Sequence, residues 1–75
     1  MASAVLEYTV ILHWGEEYGG YWVEVPTLPG CVSQGKSKEE ALQNVKEAIV
    51  LHVESMKDNG EQIPVEESSK VIVEV

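Results

Sequence analysis

The chain has 75 residues, 44% of them apolar and 24% charged, with a mean hydropathy of −0.09. That is the composition of one small globular domain, and no apolar run approaches the ~18 residues of a membrane-spanning helix. Thirteen acidic residues stand against five lysines and no arginine, a net charge of −8, which leaves the chain without the clustered cations that nucleic-acid binding uses.

The first periodic segment is Val5–His13, a strand with Tyr8, Val10 and Leu12 on one face and Glu7, Thr9, Ile11 and His13 on the other. The stretch Trp14–Gly20 reads as a glycine-rich turn into a second strand, Tyr21–Val25, so the two form an antiparallel hairpin. Pro26 has no N–H to give and stops that strand. Pro29-Gly30 predicts a type II turn, with a short third strand over Cys31–Gln34, ended by Gly35.

Ser37-Lys38-Glu39-Glu40 has the form of a capping box, with Ser37 as N-cap. Ala41, Leu42, Val45, Ala48, Ile49, Val53 and Met56 then recur at spacings of three and four, one apolar stripe on a helix from about Lys38 to Asp58. Gly60 and Pro64 mark its end. A polar connection, Glu61–Ser69, leads to a last strand, Lys70–Val75, with Val71, Val73 and Val75 on one face and Ile72 and Glu74 on the other.

The order is therefore β-β-β-α-β, an α+β two-layer sandwich of an antiparallel sheet and one helix. A single domain over residues 1–75 is expected, with 1–4 an extended or disordered lead. The helix-facing set is Val10, Leu12, Val23, Val25, Val71 and Val73, while Ile11, Trp22 and Ile72 remain apolar on the far face. With that face uncovered and a sticky terminal strand, a homo-oligomer is expected, most simply a two-fold dimer.

Catalytic chemistry finds little support. The one aspartate, Asp58, sits at the helix end, and the glutamates fall in turns and on the polar helix side. Cys31, His13 and His52 match no zinc-ligand spacing. Cys31 has no neighbouring base and reads as a small buried hydrophobe rather than a nucleophile. The six glycines form no phosphate-binding loop. No catalytic residue, cofactor or metal site is expected. Of the aromatics, Tyr21 fits core packing; Trp14, Tyr18 and Trp22 fit a protein interface and plain packing equally. One cysteine builds no disulfide framework, and Met-Ala-Ser-Ala lacks a signal peptide's basic start, so a cytoplasmic chain is expected.

A family resemblance rests on Tyr8-Thr-Val-Ile-Leu, on Gly19-Gly-Tyr-Trp-Val-Glu-Val-Pro-Thr-Leu-Pro-Gly-Cys31, on Gln34-Gly35, and on Ser37-Lys-Glu-Glu-Ala-Leu-Gln-Asn-Val-Lys-Glu-Ala-Ile49. Together they resemble the HicB-like antitoxins, over about two-thirds of the chain. The resemblance implies a partial ribonuclease H-like fold, self-association, and masking of a small basic HicA-like toxin that cleaves mRNA. It implies no nuclease activity here, because the acidic set for two-metal cleavage cannot be assigned. The C-terminal DNA-binding segment of many such antitoxins has no counterpart in these residues, so neither operator binding nor any other direct nucleic-acid contact is expected. Under this reading Trp14, Glu16, Glu17, Tyr18 and Trp22 are the candidate partner contacts. Two alternatives stand beside it: a cryptic RNA hydrolase, and an oligomeric scaffold without a toxin.

Overall fold

The computed structural model describes residues 6–17 and 19–66. Among them, β1 (Ile11–Gly15), β2 (Gly20–Glu24) and β3 (Val32–Gly35) precede one helix, α1 (Lys38–Asp58). The strands form an antiparallel sheet in the order β1-β2-β3, and α1 lies along one face against β2 and β3. The architecture is the expected α+β sheet and helix. The expected terminal strand, Lys70–Val75, lies outside the described residues.

The first strand differs from its expected bounds. The ladder begins at Ile11, opposite Glu24, and runs on to Gly15, opposite Gly20. Continued in that register, Thr9 would face Pro26, which has no N–H to offer, so residues 6–10 find no β2 partner. At the other end the turn is tighter than the glycines suggest. Trp14 is a ladder residue paired with Tyr21, and the Gly19 amide donates to the Gly15 carbonyl at 3.0 Å with Gly19 at φ +67°.

Between β2 and β3 the chain makes two successive turns. Leu28 N–H donates to Val25 O at 3.0 Å and Cys31 N–H to Leu28 O at 2.9 Å. Gly30 at φ +86° gives the second its type II form, as Pro29-Gly30 predicts. This tight path drives Leu28 inward until it is almost fully enclosed. β3 then runs to Gly35, whose missing side chain lets α1 approach; a Cβ there would collide with the Ala41 amide and come within 2.8 Å of the Glu40 carbonyl carbon.

The helix has its expected bounds. Glu40 N–H donates to Ser37 Oγ at 3.1 Å, and the Glu40 carboxylate accepts from Lys36 N–H at 3.1 Å, one residue earlier than a regular capping box. At the far end Gly60 N–H reaches Lys57 O and Glu61 N–H reaches Met56 O, which satisfies the last carbonyls around Gly60 at φ +70°. Asn44 Nδ2 donates to Gln34 O at 2.8 Å and pins α1 to β3.

The core is Val23, Val25, Leu28 and Cys31 against Ala41, Val45 and Val53, flanked by Tyr8, Val10, Leu12, Tyr21, Ala48, Ile49, Met56 and Ile63. Each fully enclosed valine or leucine contributes about 1.5–3 kcal/mol. One member of the expected stripe falls outside it. Leu42 is exposed, because it sits about 100° around the helix from Ala41 and beyond the contact line with the sheet.

Candidate functional site

The register divides the aromatic residues between two faces. On the face away from α1, cross-strand partners line up as His13, Trp22 and Gln34 in one row and Ile11, Glu24 and Val32 in the next. His13 and Trp22 stack, with ring centroids 4.0 Å apart and planes 14° apart. His13 Nε2 lies 3.5 Å from Glu24 Oε1, closed off from water and without a hydrogen bond. Ile11 and Val32 are exposed beside them, Val32 at 58%.

On the opposite face, beyond the edge of the core, Trp14 meets Tyr21 edge-on at 4.9 Å. Lys38 Nζ stands 5.9 Å over the Tyr21 ring. Glu16 and Glu17 lie exposed in the turn that joins β1 and β2. Tyr18 is outside the described residues.

Of the candidate contacts, then, Trp14 and Trp22 point to opposite sides of the hairpin, and Glu16 and Glu17 lie at its tip. Five neighbours absent from that set, Ile11, His13, Glu24, Val32 and Gln34, share the face with Trp22. The alternation in β1 and β2 already puts Ile11 and Trp22 on the far face; the register adds which residues touch.

A second apolar surface lies on the helix side. Leu6, Tyr8 and Val10 form one wall of an open groove and Leu42, Ile49 and Val50 the other. It continues round the helix to Leu51, which is 66% exposed.

The groups with chemical potential are placed as follows. Cys31 is buried, and desolvation raises its thiol above the ordinary value of 9.0, which opposes a thiolate nucleophile. His52 is half-buried on α1. Among the described residues no group of three or more His, Cys, Asp or Glu side chains converges.

One carboxylate has a dense set of partners. Glu66 Oε2 accepts from Thr9 N–H at 2.8 Å and Thr9 Oγ1 at 2.9 Å, and its Oε1 accepts from Thr27 Oγ1 at 2.9 Å. These bonds, those from the Thr9 and Thr27 hydroxyls first, hold its carboxyl below the ordinary value of 4.5. Tyr8 OH donates to Pro64 O at 2.6 Å beside it. The cluster binds the segment after α1 to the start of the chain and to the β2–β3 connection.

Residues 8–74 match the family model described as the HicB_like antitoxin of bacterial toxin-antitoxin system. A UPF0150 protein of Thermoplasma acidophilum is 48% identical over 68 residues, covering 91% of this chain and 97% of the relative. Antitoxin HicB 1 of Photorhabdus laumondii is 37% identical over 59 residues, which cover 79% of this chain but 37% of that antitoxin. The crystal structure of the N-terminal domain of the Burkholderia pseudomallei antitoxin HicB superposes with a TM-score of 0.68 at 35% identity, over 80% of this chain and 69% of that one.

Proposed function

This chain belongs to the HicB-like antitoxin family, and on that premise we propose that it acts by contact, seating on a small basic HicA-type toxin and masking its RNA-cleaving site. The observation that carries the reading is the family match over residues 8–74 joined to a net charge of −8 with no arginine. An acidic surface draws a basic protein toward it and opposes like-charged competitors. The work is done by occlusion in the cytoplasm, and the chain itself cleaves nothing.

Glu16 and Glu17 at the hairpin tip supply exposed carboxylates for the encounter. Reversing both to lysine lowers affinity by about tenfold and flattens its dependence on salt. The test pairs the purified chain with a short basic HicA-type ribonuclease from the same genome. An equimolar complex that stops RNA cleavage supports masking. Absence of a complex at micromolar concentration, or RNA cleavage by the pure chain with a divalent ion, overturns it.

A second reading, self-association as a two-fold dimer, is favoured by the exposed helix surface of Leu42, Val50 and Leu51. A monomeric mass by light scattering at micromolar concentration overturns that one.

A further inference from the structure

We propose that the open face of the sheet, centred on Trp22 and Glu24, is the seat of a basic protein partner and that it selects a guanidinium. The inference rests on the masking reading above and adds to it the surface and the chemistry recognised there.

Charge decides between occupants. Residues 1–35 contain Glu7, Glu16, Glu17 and Glu24 and not one lysine or arginine; all five lysines lie at position 36 or beyond. Three of the lysines, Lys38, Lys46 and Lys57, belong to α1 on the other side. A second copy laid on this face through β1, β2 and β3 would bring it no cation from those strands and would set acidic side chains against acidic side chains. A cationic partner meets Glu24 directly, with Glu16 and Glu17 at the end of the hairpin.

The aromatic pair with the same chemistry does not compete. Trp14 and Tyr21 already hold Lys38 nearby, and that ammonium repels an incoming cation.

The geometry narrows the cation. Trp22 is half-buried, its ring fixed by the His13 stack, with Ile11 and Val32 exposed on either side of Glu24. A planar guanidinium can lie on an indole and direct its N–H fork to a carboxylate, while the partner's aliphatic atoms cover the exposed Ile11 and Val32. Glu24, its side chain 38% exposed, makes no hydrogen bond to His13 Nε2 3.5 Å away and keeps its carboxylate free for the partner. An ammonium can meet the carboxylate and the ring as a point charge, but it has neither the planar face to stack nor the fork to bond the carboxylate twice.

The test uses the full chain and two probes. The first is a pentapeptide alternating leucine and arginine, with its lysine counterpart, followed by amide shifts and by Trp22 fluorescence in a Trp14→Phe background. Shifts at Ile11, His13, Trp22 and Val32, with the arginine peptide at least about fivefold tighter, support the seat. Glu24→Gln, nearly isosteric, lowers that affinity by about tenfold. Equal affinity for the two peptides, or shifts at Leu42, Val50 and Leu51 instead, overturns it.

The second probe is a short basic HicA-type ribonuclease. Val32→Lys weakens its complex and Val50→Lys does not, both variants keeping the thermal midpoint of the parent. The reverse pattern sinks the seat and leaves the masking reading standing. An arginine peptide seated on this face, with no basic ribonuclease inhibited, keeps the seat and sinks the masking.

Discussion

The two faces of the sheet come from the same short strands and have opposite fates. Leu12 and Val23 point to the helix, where Val23 is sealed with Val25, Leu28, Ala41 and Val45 and Leu12 packs half-buried against them. Ile11, His13, Trp22, Glu24, Val32 and Gln34 point away from the helix and line up across the strands on the other face. Alternation at period two thus lets one strand carry stability on one side and leave the other open for the proposed partner. Substitutions on the two faces should therefore separate cleanly in what they damage.

The largest effect belongs to the covered side. Leu28→Ala leaves a cavity behind a side chain that is almost wholly enclosed, at a cost of about 3 kcal/mol. That is a large part of the ~5–15 kcal/mol margin of a small domain, and it lowers the thermal midpoint by roughly 15 °C. A shift of only a few degrees would mean that the turn region collapses around the loss. Gly35→Ala comes next. Its new methyl meets backbone of the first turn of α1 rather than a side chain that can rotate, so the helix must retreat at a cost of about 2 kcal/mol. An unchanged urea midpoint would contradict that close approach. On the open face Val32→Ser moves stability by less than about 0.5 kcal/mol. If it destabilises as much as Gly35→Ala, the face is covered and the contrast fails.

The contrast was partly legible in the sequence. Ser37, Gly60 and the three-four spacing bounded the helix because a cap and a stripe are local signals. Alternation also sorted Leu12 and Val23 from Ile11 and Trp22. The start of β1 was not legible, since it depends on which residue of β1 would face Pro26. The separation of Trp14 from Trp22 was equally hidden, because it follows from the parity of the hairpin register. Glu66 carried no signal at all: its partners Thr9 and Thr27 lie 57 and 39 residues away.

Glu66 also qualifies the division between faces, for Thr9 belongs by alternation to the side of Ile11 and His13. Its three hydrogen bonds give the open side a polar anchor, exposed to solvent and smaller in effect than any buried contact. The pH dependence isolates it. Glu66 is held below its ordinary value of 4.5 in the folded chain, so the unfolded chain binds this proton more readily. The stabilisation is fully present above that ordinary value and is lost as pH falls through the lower, folded-state value. Glu66→Gln lowers the urea midpoint near neutral pH and removes this component of the acid loss, so the two curves converge as pH falls below 4.5. Curves that stay parallel would show that the threonine bonds do not discriminate carboxylate from amide, and the anchor would then be a matter of shape rather than charge.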